Sequence, residues 1–480
     1  MSLQGVLPFV MAWPALRLPV VIEVSGARLT SDAGLLPVRA FDERLRFTAA
    51  VSAAIRDERD PAFTEHSVLS MVRQRMYGIL ADYEDQNDHT QLRTDPVFKM
   101  IADRSPDGAD LASQPTLSRL ENAVTIGDLW RLRDVMIDQF IASFAVPPRS
   151  LTFDMDAFDD PTHGAQQLTL YHGYYEQYQY LPLIITCAEN DLVVMLSLRH
   201  GTCAAFLGAD DDLRYLVGRL RAVWPDVALH VRADCGFGTP VMSAVCEDLD
   251  LTYTLGIGMN TRLKEASDEL LAEAVRLYEE TGEKQRLFTS QWYRAESWDR
   301  ERFVVIKAEA HDQGTNRRAV TSNRPGAAVL PAATYDAYTK RGESENRNKE
   351  LKCGLHAGRL SDHRFVANYF RLYLHGFTLN LLIQMRHHVS HAPTPAEVGI
   401  ASELPAETLA GAQRKLYFNR RRQADPLGTG HAETWRTRVM KVAAEIVVSA
   451  RRIMVRLSSH WPYLSHLTDT LERLLAPTTS

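Results

Sequence analysis

Leu151-Thr-Phe-Asp-Met-Asp-Ala-Phe158 is the stretch on which the fold turns. Its alternation places Phe153, Met155 and Ala157 on one face of a strand and Asp154 and Asp156 on the other. Carboxylates buried without partners are costly, and a metal ion is a natural partner for two of them. Working outward, Tyr180–Cys187 and Leu192–Leu198 are apolar runs that follow one another too closely for a crossover. An antiparallel three-strand meander is therefore expected. Asp210–Trp224 then has helical spacing, Val227–Ala233 reads as a strand, Pro240–Leu249 as a helix and Leu251–Ile257 as a strand. That alternation implies parallel crossovers.

Together these segments predict a mixed α/β (α+β) fold with a five-stranded mixed sheet of the ribonuclease H kind. The expected organisation is a mainly helical region over residues 1–147, a core begun by 148–258, a β-containing insertion over 259–330, a second core part over 331–390 and a basic helical region over 391–480. Asp42 to Phe144 reads as a helical domain of its own, and Leu404 to Leu475 as helix throughout. Asp159-Asp160-Pro161 reads as a turn after the first strand.

A second acidic site lies in Arg232-Ala-Asp234-Cys-Gly-Phe-Gly-Thr-Pro240, where an aspartate ends an apolar strand before a glycine-rich turn. Strand ends in such sheets are where ligands collect. Gly236 and Gly238 do not complete a G-x-G-x-x-G pattern, so a dinucleotide site is not indicated. A third lies in Tyr338-Thr-Lys-Arg341-Gly-Glu-Ser-Glu345-Asn-Arg-Asn-Lys-Glu-Leu-Lys352, which reads as part of one helix from about Ala332 to His356. At about 100° per residue, Arg341, Glu345 and Lys352 fall near 300°, 340° and 320° relative to Tyr338, whereas Glu343 and Glu350 fall near 140° and 120°. The geometry selects Glu345. A stripe of one carboxylate and two cations suits a site that holds a metal and a polyanion together.

The formal net charge is −6 over 480 residues, but it is uneven. Residues 401–480 carry 12 Lys or Arg against 7 Asp or Glu, and residues 313–371 carry 11 against 5. Such local excesses suit phosphate backbones. Five cysteines without C-x-x-C spacing argue against a disulfide framework or a structural zinc, and fit a reducing cytoplasm. Pro8, Pro14 and Pro19 interrupt the first apolar stretch, so no signal peptide is read. With no run of about 18 apolar residues, no membrane partner is expected.

The two aspartates and the Y-x2-R-x3-E-x6-K helix resemble the DDE transposases of insertion sequences. The surrounding Asp156-Ala-Phe-Asp-Asp-Pro-Thr-His-Gly164 with Gln166, Arg232-Ala-Asp234-Cys-Gly-Phe237 and Arg364-Phe-Val-Ala-Asn368 resemble the group called IS thirteen-eighty. So do Tyr83-Glu-Asp-Gln-Asn-Asp88-His, Leu92-Arg93-Thr-Asp95-Pro96 and Leu111-Ala-Ser-Gln-Pro-Thr-Leu-Ser-Arg119-Leu-Glu-Asn122, so the likeness spans nearly the whole chain. The resemblance implies a ribonuclease H-like enzyme that binds transposon ends and cuts and rejoins double-stranded DNA, as a homodimer on DNA, in the bacterial cytoplasm at the nucleoid. It implies two Mg²⁺ ions, replaceable by Mn²⁺, on Asp156, Asp234 and Glu345. Asp154 stays open as the alternative first carboxylate, because Phe158 stands where relatives usually carry threonine. Tyr338, Arg341 and Lys352 match positions that hold DNA. The N-terminal region is expected to read the end sequence, and Arg420, Arg421 and Arg422, with Arg451 to Arg456, to contact the backbone from basic helices.

Two other readings are open. A haloacid-dehalogenase-type phosphatase shares the D-x-D form of Asp154 and Asp156, although it calls for parallel strands. A transposase-derived DNA-binding protein without catalysis is disfavoured by the intact acidic set.

Overall fold

The computed structural model describes residues 9–11, 20–22, 25–327, 329–402, 406, 409 and 411–476. Pro8, Pro14, Pro19 and Leu404, on which two of the expectations rest, lie outside them. An eight-stranded sheet organises the chain. Numbered in chain order, its strands are β1 (Ser150–Ala157), β2 (Leu183–Cys187), β3 (Val193–Ser197), β4 (Ala228–Ala233), β5 (Thr252–Ile257), β6 (Gln285–Tyr293), β7 (Arg302–His311) and β8 (Gly314–Ser322). The spatial order is β6-β7-β8-β5-β4-β1-β2-β3. β1 is antiparallel to β2 and β2 to β3, while β4 runs parallel to both β1 and β5.

The five expected strands are therefore present, but the sheet does not stop at them. β8 adds antiparallel to β5, and β7 and β6 follow. Sequence periodicity finds strands but not their neighbours, so the 259–330 segment read as an insertion and is in fact a continuation of the sheet. Helix Asp268–Thr281 packs on this extension, and beneath it Ile257, Leu263, Trp298, Val304 and Ile306 form a small core. Helix Pro331–Thr339 packs there too, and Tyr335 is buried with Val305 and Val320.

The helices before β1 do not close a core of their own. One continuous apolar core runs from Ala33 through Met76, Leu132, Phe153, Leu196 and Phe377 to Leu474. Helix Phe365–Val389 threads it, and comes so close to β3 at Gly376 that an added Cβ would sit 2.3 Å from Leu196 Cδ1. Asn380 on that helix accepts from Val193 N and donates to Val193 O, each at 2.8 Å, which satisfies backbone groups on the edge strand. Glu121, fully buried, accepts from Arg75 at 2.9 Å and pairs with Arg371, tying an N-terminal helix to the same long helix.

The C-terminal region also departs from the helical reading. Ala444–Val448 and Ile453–Leu457 are strands that pair with each other and with Leu29–Thr30, so Arg451 and Arg452 sit at a hairpin turn and Arg456 on a strand. Alternating Ile446, Val448, Ile453 and Val455 carried that signal. Among the described residues no helix is long and apolar enough to cross a membrane.

Candidate active site

Asp156 ends β1 and Asp234 follows β4, its parallel neighbour, so pairing alone brings the two carboxylates to one edge of the sheet. The Asp234 turn is tight. Asp234 Oδ1 accepts from Gly236 N at 2.9 Å, Phe237 N bonds to Asp234 O at 3.2 Å, and Thr239 caps helix Pro240–Asp248.

Asp154 is engaged elsewhere. It faces Arg232 across the β1/β4 register and accepts two bonds from it, Nε to Oδ1 and Nη2 to Oδ2, both 2.7 Å. Arg232 also donates to Ala337 O at 2.9 Å, so the pair anchors helix Pro331–Thr339 to the sheet. Burial raises the Asp154 carboxyl, against the pull of Arg232.

The Glu345 segment is not one helix. It is divided into Pro331–Thr339 and Gly342–Lys349 by a tight turn at Lys340 and Arg341, and continues as one wide turn over Glu350–Gly354. The face argument survives locally. Arg341 donates to Glu345 Oε1 at 2.7 Å and to Asp156 Oδ2 at 3.4 Å. Glu343 lies outside, 3.7 Å from Arg414, and Glu350 is buried against Arg386 and Arg347. Lys352, one turn further on, reaches Asp159 Oδ1 at 2.6 Å instead of joining Glu345.

Electrostatics knit the group together. Burial pushes the Asp156 carboxyl up to about 6; Arg341 opposes the shift, while the charges of Asp234 and Glu345 add to it. Arg341 is raised, because the charges of Asp156, Tyr338, Glu345 and Asp234 outweigh its own desolvation. Tyr338 is raised chiefly by burial; it stacks at a tilt on Tyr335, 5.7 Å between centroids. An added Cβ at Gly256 on β5 would stand 2.8 Å from both Tyr338 Oη and Cys235 N, so this glycine sets the close approach of β5 to the Asp234 turn.

Several of these partners carried no sequence signal. Asn348 donates to Asp156 Oδ2 at 2.8 Å, and its own Oδ1 is buried without a hydrogen-bond partner among the described residues. Asp160-Pro161 is not a turn but a two-residue strand paired with Gln179 and Tyr180. Beside Tyr338, Arg341 and Glu345 opens a cavity of about 680 Å³, lined also by Lys284, Arg286, Lys307 and Arg318. Glu309 there is approached by Lys284 and Lys307 at 3.0 and 3.1 Å, whereas Arg318 is exposed and makes no ion pair among the described residues. Cations exceed carboxylates along this wall.

The donor set is what a hard divalent cation takes: carboxylate oxygens that repel one another, next to an amide oxygen with no bond. The oxygens of Asp156, Asp234 and Glu345 do not all lie within 4.8 Å of one another, and Glu345 is bonded to Arg341. Among the described residues, the group that does satisfy that spacing is Asp82, Glu84 and His356. Away from the site, Arg420 donates to the carbonyls of Val398 and Gly399 at 2.7 and 2.8 Å, Arg421 is half-buried and Arg422 is exposed.

The chain that carries these acidic strand ends has relatives among known sequences. Residues 14–401 match the family described as Transposase DDE domain group 1, and the chain belongs to that family. Among solved structures, the chain is similar to piggyBac transposase in a synaptic complex with hairpin DNA, with 14% identity and a TM-score of 0.39 over 94% of this chain and 87% of that one. No curated protein matches it.

Proposed function

We propose that the chain binds the terminal inverted repeats of a mobile element and catalyses metal-dependent DNA strand cleavage and strand transfer, as a cut-and-paste transposase of the IS thirteen-eighty group with a YREK motif. The observation that carries this reading is the convergence of Asp156, Asp234 and Glu345 in one charge field with Arg341 among them. The strand order β3-β2-β1-β4-β5, with only β2 reversed among its neighbours, supports a ribonuclease H-like core made from residues 148–258 and 331–390. An antiparallel β2 beside β1 speaks against the haloacid dehalogenase alternative.

In this reading Asp156, Asp234 and Glu345 hold two Mg²⁺ or Mn²⁺ ions. Metal ions held by these residues would supply activation of the attacking hydroxyl or water and charge stabilisation at the leaving oxygen. Arg341 leaves Glu345 and Asp156 to pair with phosphate oxygens, which frees Glu345 to turn inward. Lys352 makes a similar exchange from Asp159, and Tyr338 donates to a phosphate oxygen. The basic wall of Lys284, Arg286, Lys307 and Arg318 carries the DNA backbone to this point, and Arg422 offers a further contact. The N-terminal helices (1–147) read the end sequence, the 391–480 region adds backbone contacts, and two copies act together on DNA at the bacterial nucleoid.

The test is Mg²⁺-dependent cutting of a duplex bearing the inverted repeat that flanks the coding region. Glu345→Ala should abolish cutting while Glu343→Ala retains it. Undiminished cutting by Glu345→Ala would sink the triad, and specific end binding without any nicking would leave a DNA-binding protein.

A further inference from the structure

The segment between β1 and β2 forms a small sheet of its own, ordered Asp160–Pro161, Gln177–Tyr180, Leu170–His172. On its hairpin, Tyr171, Tyr174, Tyr175 and Tyr178 are 50, 84, 37 and 60% exposed, with Leu168 and Leu170 exposed beside them. Aromatic rings left together in water generally mark a binding face. The register sets two faces: Tyr171 lies against Tyr178 at 5.5 Å on one, while Tyr175 packs on His172 at 5.0 Å and on Tyr174 at 5.1 Å on the other, the face that carries Gln177.

The hairpin is tied to the candidate centre. Gln177 donates to Asp159 Oδ2 at 3.1 Å, and the other oxygen of that carboxylate takes Lys352 Nζ. Burial raises the Tyr175 hydroxyl, and the charges of Asp159, Asp156 and Asp234 add to the effect, so this ring stands within electrostatic reach of the site. Leu168 to Tyr180 contains no lysine or arginine, whereas Arg341 and Lys352 lie at its foot. Cations hold phosphates; uncharged ring faces suit bases, each of which has a π face.

We propose that this tyrosine hairpin is a stacking platform for unpaired nucleobases of the DNA strand held at the candidate centre. The proposal rests on the reading of the chain as a DNA-cleaving enzyme. It assigns the bases to the hairpin and the backbone to the basic wall, a division that neither set of side chains could serve alone.

The experiment compares equilibrium binding, in EDTA, of a mixed-sequence blunt duplex and the same duplex with a short unpaired overhang. The double variant Tyr174→Ala/Tyr175→Ala should bind the overhang substrate about tenfold more weakly and the blunt duplex as before. Tyr174→Phe/Tyr175→Phe should restore the difference, since stacking needs the ring and not the hydroxyl. Equal losses on both substrates, no loss on either, or failure of the Phe pair to restore binding would overturn the platform. Glu345→Gln run alongside with Mg²⁺ keeps the two readings apart: persistent nicking by that variant removes the triad on which the cleavage reading stands, while the binding comparison still judges the hairpin.

Discussion

Arg232 holds Asp154 in a bidentate pair, with both N–H···O distances at 2.7 Å and both side chains almost wholly buried. The two aspartates of β1 share a face and differ in their partners. Asp154 is neutralised within the sheet, and Asp156, at the strand's end, stands within electrostatic reach of Asp234 and Glu345.

Opposite phenotypes should follow. Asp154→Asn leaves the Arg232 guanidinium buried without its counter-charge and should cost about 3–5 kcal/mol in urea unfolding. Asp156→Asn should fold as well as the parent and fail to cut DNA. A stable but inactive Asp154→Asn together with an active Asp156→Asn would reverse the assignment.

Because burial pushes Asp156 up to about 6, its carboxyl takes up a proton as pH falls through that value. Divalent cations compete with that proton. The rise in melting temperature produced by Mn²⁺ should therefore be full near pH 8 and shrink below about pH 6, as calorimetry can show. The shift is upward, so in metal-free protein Asp156 favours unfolding at high pH, and Asp156→Asn should stabilise it there.

Glu350 behaves in the opposite sense. Desolvation works against its charge, but bonds to His431, Arg386 and Arg347 prevail and lower its carboxyl to about 2. A depressed carboxylate contributes stability that is present above its unfolded value and is lost as pH falls through the folded one. The drop from the ordinary 4.5 corresponds to about 3 kcal/mol at most, lost between roughly pH 4.5 and 2. Glu350→Gln should remove that acid-side slope in unfolding titrations and cost about 3–5 kcal/mol at pH 7, since it strands Arg386.

The basic wall predicts a salt effect. Lys284→Ala/Arg318→Ala removes two cations and leaves the buried Glu309 its bond from Lys307. The slope of log affinity for duplex DNA against log salt should fall by about 2, one unit per lost phosphate contact, while the melting temperature stays put. An unchanged slope would place the DNA elsewhere.

Gly256→Ala tests how the strand ends are held together. Its Cβ would meet Cys235 N and Tyr338 Oη at 2.8 Å, so the Asp234 turn or Tyr338 must shift. Cutting should fall steeply for a stability cost of about 1–3 kcal/mol, read by nicking rate against urea midpoint.

What the sequence determined by itself was local and periodic. Alternation in Leu151–Phe158, closely spaced apolar runs and helical crossovers were enough for five strands and their directions, because side-chain period and connection length constrain strand pairing directly. The Tyr338-to-Lys352 spacing separated Glu345 from Glu343 and Glu350 for the same reason.

Only the tertiary structure decided which partners those residues meet. Arg232 and Asp154 are 78 positions apart and become neighbours through parallel register; Asn348 and Asp156 are 192 apart, and Lys352 and Asp159 193. The three strands after Ile257 joined the sheet, the N-terminal helices shared its core, and Ala444–Leu457 became a hairpin, because each buries its apolar face against surface supplied from far along the chain. Periodicity records that a face is apolar; what covers that face, or which charge a carboxylate meets, is fixed by the fold as a whole.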